Sequence, residues 1–238
     1  MIITGKYPNL RLRRNRNSDW SRRLVRENTL SVNDLILPIF LIEGKNKKQS
    51  IKSMPEVYRY SIDRLSEVVD KAVSNKIPMV ALFPYTSSKL KNINGTESLN
   101  EDNLVCRAIK YIKKKYKNSI GIMCDVALDP YTSHGHDGLL HKGKILNDET
   151  VEILVKQSLL QAQMGCDVIS PSDMMDGRIG EIRKNLDKNN FKDVQILSYA
   201  IKYASSFYGP FRDAVGSKRS LKSDKTVSYT HLTLPTKA

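Results

Sequence analysis

A lysine within an apolar and aromatic run is the first residue whose setting could support chemistry. Lys202 lies in the segment ILSYAIKYASSFYGPFRD, with Tyr199 before it and Tyr203, Phe207 and Tyr208 after it. Lysine is rarely buried, and desolvation disfavours its charged form. A neutral amine in a dry pocket can attack a carbonyl group and form a Schiff base. The alternative is a lysine at a strand end whose amine reaches solvent along a buried stem.

Arg212 is the second basic residue of this segment. The sequence Tyr208-Gly209-Pro210 predicts a turn, after which the Arg212 side chain would point back toward the lysine. A guanidinium group there would bind a substrate carboxylate through two parallel hydrogen bonds. A salt bridge to Asp213 or to another acid explains the same residue, and the sequence does not decide between the two.

Two histidines and several aspartates share the segment CDVALDPYTSHGHDG, residues 124–138. Carboxylate oxygens suit a hard divalent ion such as Mg²⁺ better than zinc, which favours cysteine and histidine. The competing interpretation is a glycine-hinged lid whose polar side chains cap loops and helices. A third polar segment, PSDMMDGRIG, offers Ser172 and Asp173 as hydrogen-bonding groups.

Short apolar runs alternate with helical patterns through the middle of the chain. They predict strands at 34–44, 79–85, 119–129, 166–175 and 194–202, and helices at 61–76, 101–117, 148–164 and 177–189. Residues 130–147 are predicted to form a long loop. Near-continuous apolar strands between helices indicate a parallel sheet. No GxGxxG motif or P-loop follows the first strand, which counts against a nucleotide-binding Rossmann fold. We therefore expect an α/β fold of the (β/α)₈ TIM barrel type.

Barrel active sites lie at the C-terminal ends of the strands. The predicted strands turn polar at these ends, which carry Asp125, Asp129, Ser172, Asp173 and Lys202. A complete barrel has eight strands in about 250 residues, yet the five predicted units already occupy about 210 residues. The sequence therefore predicts either an open sheet or a barrel that stops early.

The chain has 238 residues and a formal net charge of +14, and arginines are concentrated near its start. These are Arg11, Arg13, Arg14, Arg16, Arg22, Arg23 and Arg26. Such a run can bind nucleic acid through phosphate contacts, lie on an acidic neighbouring subunit as an arm, or remain solvated. No nucleic-acid-binding motif accompanies it, so we expect no nucleic-acid partner.

The cysteines Cys106, Cys124 and Cys166 have no CxxC spacing, and their odd number argues against a disulfide framework. The N-terminal residues lack the apolar core of a signal peptide, and no apolar run is long enough to cross a bilayer. We therefore expect a cytoplasmic protein without a membrane partner.

Three segments together resemble the porphobilinogen synthase (5-aminolevulinate dehydratase) family: DPYTSHGHDG, PSDMMDGR and SYAIKYASSFYGPFRDA. The resemblance extends from the arginine-rich arm, through LVRENTLSVNDLILPIFLIEG and SMPEVYRYSID, to the region of Lys225. It implies a (β/α)₈ barrel with an N-terminal arm that wraps a neighbouring subunit in a homo-oligomer, usually an octamer.

The resemblance implies a lyase (a hydro-lyase) that joins two molecules of 5-aminolevulinate, with loss of water, into porphobilinogen for tetrapyrrole (heme) synthesis. Two lysines of the family form Schiff bases with the substrates, and Lys202 matches the first of them. Arg212 matches an arginine that binds a substrate carboxylate, and Lys225 matches a second basic substrate-binding position. Asp125 and Ser172 match polar residues that line the pocket.

Zinc-dependent members of the family carry three cysteines where this sequence has Ala127, Asp129 and Asp137. The resemblance therefore implies no zinc at the active site, and it leaves Asp129 and Asp137 as the candidate metal ligands of this chain. Several related members use an activating Mg²⁺ outside the active site, held by a glutamate that is expected just past residue 226. Mg²⁺ is thus the cofactor that the resemblance allows.

The sequence after Thr226, VSYTHLTLPTKA, matches nothing in the family, and the strand that carries the second Schiff-base lysine is absent. We expect three regions, namely a basic arm at 1–30, a partial barrel at 31–226 and a non-family tail at 227–238. The intact parent is expected to be an enzyme and this chain an inactive fragment, with open sheet edges that favour aggregation.

Two other functions remain open. A class I aldolase or a related Schiff-base lyase would share the barrel and Lys202, but not the long motif matches. A basic nucleic-acid-binding protein would use the arginine-rich arm instead of a catalytic lysine.

Overall fold

The computed structural model describes residues 5–202 and 208–216. The described residues divide into two compact units, an N-terminal segment that ends at residue 34 and a main body that begins at residue 35. No helix within the described ranges is long and apolar enough to cross a membrane.

The N-terminal segment contains a 3₁₀ turn, Leu12–Arg16, followed by helix α1, Asp19–Leu24. All seven of its clustered arginines are exposed. Asp19 pairs with Arg22 and Arg23 on the surface of the helix, and such exposed pairs contribute little to stability. The segment therefore presents a positively charged surface.

The main body alternates strands and helices, as the apolar runs predict. Its strands are β1 (Ile36–Ile42), β2 (Lys48–Ile51), β3 (Met54–Tyr60), β4 (Met79–Tyr85), β5 (Gly121–Val126), β6 (Leu139–His141), β7 (Lys144–Leu146), β8 (Val168–Pro171) and β9 (Gln195–Ile196). Its helices are α2 (Ser66–Ser74), α3 (Leu104–Tyr116), α4 (Asn147–Gln163), α5 (Arg178–Lys188) and α6 (Tyr208–Ala214).

Seven strands form one sheet in the order β2-β3-β1-β4-β5-β8-β9. From β1 to β9 the pairing is parallel, and the order of these strands in the sheet follows their order in the chain. β3 pairs in parallel with the other side of β1 and forms a hairpin with antiparallel β2. β6 and β7 form a separate two-stranded hairpin.

The helices α2 to α5 cover one face of this sheet. Their apolar residues share one core with strand residues such as Ile39, Leu41 and Ile122. A smaller core on the other face contains Phe40 and Phe83. A doubly wound sheet reverses its strand order and has helices on both faces, whereas a barrel keeps the strands in sequence and the helices outside. The described part of the main body is therefore a partial (β/α) barrel, which confirms the expected fold class.

The five predicted parallel strands are confirmed, but three local predictions are wrong. The segment 130–147 is not entirely a loop, because it contains the short hairpin of β6 and β7. The predicted turn at Tyr208-Gly209-Pro210 instead begins α6, since proline is tolerated in the first turn of a helix. The fifth strand, predicted at 194–202, is shorter, with only Gln195–Ile196 paired as a strand.

Candidate active site

Lys202 follows β9 at the C-terminal edge of the parallel sheet. Its Nζ donates a hydrogen bond of 2.7 Å to the carbonyl oxygen of Ser172 and lies 3.8 Å from Oδ2 of Asp137. Only 13% of the lysine side chain is exposed. The amine is therefore held inside the site and does not extend into bulk solvent.

A cavity of about 200 Å³ opens beside this amine. Its wall is made of residues that end or follow the parallel strands and of residues from α6. These are Phe83, Asp125, Asp129, Ser172, Tyr199, Lys202, Tyr208 and Phe211. The structure thus brings together four of the polar residues that the sequence predicts at strand ends.

Three aspartates lie beside the amine or on the wall of its cavity, namely Asp125, Asp129 and Asp137. Burial raises the pKa of Asp125 to about 7, and repulsion from Asp129 acts in the same direction. A hydrogen bond from Ser172 and the positive charge of Lys202 oppose this rise. Asp129 and Asp137 are both buried. Asp125 can therefore carry a proton near neutral pH and release it within the cavity.

Aromatic rings form the apolar part of the wall. The ring of Phe211 meets that of Phe83 edge to face, with centroids 5.1 Å apart, and stacks on Tyr208 at 5.7 Å. The Tyr208 ring lies 5.5 Å from Nζ of Lys202. Burial raises the pKa of Tyr199 to about 12, so this phenol keeps its proton at neutral pH. These rings place an apolar surface beside the amine.

Helix α6 is fixed to the sheet by Arg59, a residue that the sequence analysis does not single out. Nε and Nη2 of Arg59, on β3, donate to the carbonyl oxygens of Ala214 and Asp213, at 2.7 and 2.6 Å. Nη1 donates to Oε1 of Gln49 at 3.0 Å, and the guanidinium lies 4.4 Å from the centre of the Tyr85 ring. This arginine therefore holds the helix that carries two of the cavity's aromatic rings.

Arg212 lies on the same helix but is not among the residues that line the cavity. Its Nε is buried and has no hydrogen-bond partner among the described residues. The neighbouring Asp213 accepts a hydrogen bond of 2.7 Å from the hydroxyl of Ser53, in the turn between β2 and β3. Both interpretations of Arg212, a carboxylate ligand and a salt-bridge partner, stay open.

The HGHDG segment brings Asp137 to the site, and the ring of His134 makes hydrogen bonds within this segment and to a second loop. Nδ1 of His134 accepts from the His136 main-chain N–H at 3.2 Å, while Nε2 of His134 contacts the carbonyl oxygen of Ile93 at 3.3 Å. Burial lowers the pKa of His134, so its ring stays neutral at pH 7. These contacts favour the lid interpretation of the segment.

The metal-site interpretation finds less support. Across residues 5–202 and 208–216, no group of three or more His, Cys, Asp or Glu side chains is placed to hold a metal ion. A zinc site at the positions of the three family cysteines does not fit, because Ala127 offers no donor atom.

Lys225, Tyr203 and Phe207 lie outside the described residues, as does the predicted tail at 227–238. A groove of about 530 Å³ between α4 and α5 is larger than the cavity beside Lys202. Its lining contains none of the candidate site residues, so we place the chemistry in the smaller cavity.

Comparison with known proteins assigns the chain to a family. A family model described as "Delta-aminolevulinic acid dehydratase" matches residues 9–232, which includes the first residues after Thr226, where we predict a non-family tail. The delta-aminolevulinic acid dehydratase of Bradyrhizobium diazoefficiens is 56% identical over 216 residues, which are 91% of this chain and 61% of that protein. The one of Ruminiclostridium josui is 44% identical over 204 residues, 86% of this chain and 98% of that protein.

A solved structure matches both the sequence and the fold. It is the delta-aminolevulinic acid dehydratase (porphobilinogen synthase) of Toxoplasma gondii ME49 in complex with the reaction product porphobilinogen. The TM-score is 0.86 and the identity 43%, and the match covers 93% of this chain but 63% of that one. The chain thus spans less than two thirds of the length of this structure and of the Bradyrhizobium protein. On the extent of these matches, the chain belongs to the delta-aminolevulinic acid dehydratase family.

Proposed function

We propose that the intact protein to which this chain belongs is a porphobilinogen synthase, a lyase that condenses two molecules of 5-aminolevulinate, with loss of water, in tetrapyrrole biosynthesis, and that this chain supplies its first Schiff-base lysine. The observation that carries the proposal is the largely buried amine of Lys202 on the wall of a cavity at the C-terminal edge of the barrel strands. Membership of the family supports the same reaction. 5-Aminolevulinate carries the ketone that such an amine attacks.

The first step is formation of a Schiff base between Lys202 and the ketone of one substrate. The amine nitrogen bonds to the keto carbon, and the resulting carbinolamine loses its hydroxyl group as water when the C=N bond forms. The leaving hydroxyl needs a proton, and Asp125, whose pKa is about 7, is suited to supply it. The ionised carboxylate then balances the positive charge of the protonated imine.

The carbon next to the imine of the first substrate bonds to the keto carbon of the second substrate, whose oxygen leaves as water. The amino group of the second substrate then bonds to the imine carbon and displaces the Lys202 amine, which closes the ring, and loss of protons gives the pyrrole.

Polar residues around the amine are assigned to substrate binding. Ser172 and Asp125 line the cavity, where they can bind the polar groups of the first substrate. We assign Arg212 and Lys225 to the substrate carboxylates. For Arg212 the support is its buried Nε, which lacks a hydrogen-bond partner among the described residues. A carboxylate would satisfy this donor through a charge-assisted hydrogen bond.

The proposal includes no metal at the active site, and no step described above depends on one. We assign any Mg²⁺ requirement to an activating ion bound outside the cavity. We further propose a homo-oligomer, an octamer by family resemblance, that assembles through the arginine-rich N-terminal segment in the cytoplasm. Nucleic acid and membrane are not partners in this account.

The second candidate is a class I aldolase-like enzyme, which would use the same lysine. The two candidates differ in the ketone with which Lys202 forms an imine. We would titrate the chain with 5-aminolevulinate labelled with carbon-13 at the keto carbon and record the carbon spectrum. The proposal predicts that a protein-bound imine signal appears and that Lys202→Arg abolishes it. Lys192→Arg, which removes an exposed lysine near β9, is the matched control and should leave the signal unchanged.

Keto-labelled dihydroxyacetone phosphate is the comparison ligand in the same experiment, because it is a phosphorylated ketone of the kind that aldolases bind. An imine with this ligand and none with 5-aminolevulinate would replace the proposed function by the aldolase alternative.

A further inference from the structure

The carbonyl oxygen that binds the Lys202 amine belongs to a strained turn. β8 ends at Pro171, and Ser172, the next residue, accepts the hydrogen bond from Nζ of Lys202 at 2.7 Å. Two residues later Met174 has a φ of 70°, in the left-handed region that side chains other than glycine rarely adopt. Such a conformation persists only where the surroundings hold it, and it is found at functional sites.

An ion pair beneath this turn holds it in place. Oδ1 of Asp173 accepts a hydrogen bond of 2.7 Å from the main-chain N–H of Met175, and Oδ2 lies 3.3 Å from Nε of Arg178. Nη1 of Arg178 donates to the carbonyl oxygen of Met175 at 2.9 Å. The Asp173 side chain is fully buried, and 12% of the Arg178 side chain is exposed. The pair therefore binds both the main-chain N–H and the main-chain carbonyl group of Met175.

The same guanidinium also reaches the segment that carries the nucleophile. Nη2 of Arg178 donates a hydrogen bond of 3.2 Å to the carbonyl oxygen of Tyr199. Tyr199 lines the cavity, and a short stretch of irregular backbone connects it to Lys202. One side chain thus connects the turn that accepts the amine's hydrogen bond with the backbone that delivers the amine.

We propose that the Asp173–Arg178 pair is a positioning device for Lys202, which sets where the amine stands in the cavity without contacting substrate itself. A buried ion pair is weak as a stabilising element, because desolvation offsets much of its attraction. Its value here lies in geometry, since it fixes two backbone segments relative to one another. The assignment rests on the proposed function only in taking Lys202 as the nucleophile.

Arg183 provides a matched control on the same helix. Its guanidinium donates to the carbonyl oxygens of Val194 and Phe191, at 2.6 and 3.0 Å, and so also ties α5 to the chain that leads into β9. Its hydrogen bonds go to Val194, Phe191 and Asp187, and none goes to the turn after β8 or to Tyr199. Loss of either arginine removes bonds between α5 and the following segment, but only loss of Arg178 should displace the amine.

The test compares Arg178→Met, Arg178→Lys, Asp173→Asn and Arg183→Met. The first readout is the rate at which 5-aminolevulinate and borohydride label the peptide that contains Lys202. Arg178→Met should label about ten- to a hundredfold more slowly than the parent, because small misplacements of reacting groups have effects of this size. Arg178→Lys should recover part of the rate, and Arg183→Met should keep the parent rate.

The second readout needs no substrate and therefore separates this inference from the proposed function. Amide hydrogen exchange of the parent should show protection at Leu197, whose N–H donates to the carbonyl oxygen of Ile169 at 2.9 Å, and at Met175, whose N–H donates to Asp173. Arg178→Met and Asp173→Asn should lose protection at both amides while β5 keeps its own. Equal loss in Arg183→Met, or parent-like exchange in both site variants, would overturn the positioning role. Absence of labelling in the parent, with the exchange pattern as expected, would reject the proposed function alone. Should Arg178→Met not fold, Arg178→Lys and Asp173→Asn carry the same comparison.

Discussion

At Lys202, one amine lies close to several carboxylates in a cavity with aromatic walls. Burial raises the pKa of Asp125 to about 7, and the buried Asp129 adds repulsion. A buried cluster of an amine and carboxyl groups stabilises a fold poorly, because each buried charge must be desolvated. It can, however, move a proton efficiently near pH 7. We therefore attribute the acidic composition of the site to chemistry.

The raised pKa of Asp125 predicts a pH-dependent stability. A carboxyl group with a higher pKa in the folded state than in the unfolded state binds more protons when folded. Its contribution is therefore fully present below about pH 4, the unfolded value, and is lost as the pH rises toward about 7. In Asp125→Asn the free energy of unfolding should fall by about 1–3 kcal/mol less than in the parent as the pH rises to 8. The variant should therefore gain stability relative to the parent at pH 8.

Urea unfolding at pH 5 and pH 8 measures this effect. Asp193→Asn, which changes an exposed aspartate of the main body, is the control and should retain the slope of the parent. A parent whose stability rises between these two pH values, with Asp125→Asn showing the same rise, would contradict the assignment of this pKa.

The hairpin of β2 and β3 holds helix α6 in place, a role that its polar sequence does not suggest. It supplies Arg59, which binds the last carbonyl groups of α6, where a cation also interacts favourably with the helix dipole. α6 carries Tyr208 and Phe211, which line the cavity. The position of the aromatic wall thus depends on an element on the far side of β1.

Replacing this arginine should destabilise the fold. Arg59→Met leaves one buried and one partly buried carbonyl group without their donor, and we expect a loss of about 2–4 kcal/mol in the free energy of unfolding. Arg64→Met removes a surface pair with Glu67 and should leave the unfolding midpoint close to that of the parent. Urea denaturation of both variants makes the comparison, and equal midpoints for the two would remove the special role of Arg59.

Strand β9 forms one edge of the sheet in the described part of the chain, and β2 forms the opposite edge. On the outer side of β9 no further strand of the described residues pairs with it, and Leu197 and Ile201 are 37% and 49% exposed. Unpaired apolar edges promote association, whereas β2 at the opposite edge carries Lys48 and polar side chains that discourage it.

Leu197→Lys should therefore reduce aggregation of the chain, because a charge at an edge opposes strand addition. Light scattering over time at a fixed protein concentration measures it. Leu90→Lys changes an equally exposed leucine away from the edge and serves as the control. If both substitutions lowered scattering to the same extent, general charge and not the β9 edge would be the cause.

The periodicity of the sequence predicts the parallel strands and their helices because each buries an unbroken apolar face. β4 is placed at its observed bounds, Met79–Tyr85, by this argument alone. The hairpins escape prediction because β2, β6 and β7 are only three or four residues long, and because β3, although longer, is mostly exposed or half-buried and shows no clear period. The gathering of Asp125, Ser172 and Lys202 follows from the barrel rule, whereas the pairing of Asp173 with Arg178 depends on a backbone conformation at Met174 that composition does not reveal.

At the scale of the whole molecule, positive charge is concentrated in the N-terminal segment and the chemistry in the main body. All seven clustered arginines of the segment are exposed, as are the apolar side chains of Leu12, Trp20 and Leu24. Exposed apolar residues beside arginine are typical of protein interfaces. Nucleic acid would instead be bound by the arginines alone, with a strong dependence on salt.

Deletion of residues 1–26 distinguishes these two uses. The proposed oligomer predicts a fall in molecular mass by light scattering in solution and no change in affinity for single- or double-stranded nucleic acid. An unchanged mass together with lost, salt-sensitive nucleic-acid binding would support the binding-protein alternative.

The central claim is that Lys202 is the nucleophile, and reductive trapping with peptide mapping tests it most directly. The chain is incubated with 5-aminolevulinate, reduced with borohydride and digested, and the labelled lysine is identified by mass spectrometry. The account predicts label on Lys202, none in Lys202→Arg, and no label without substrate. Label confined to other lysines, with Lys202 unmodified, would contradict the account.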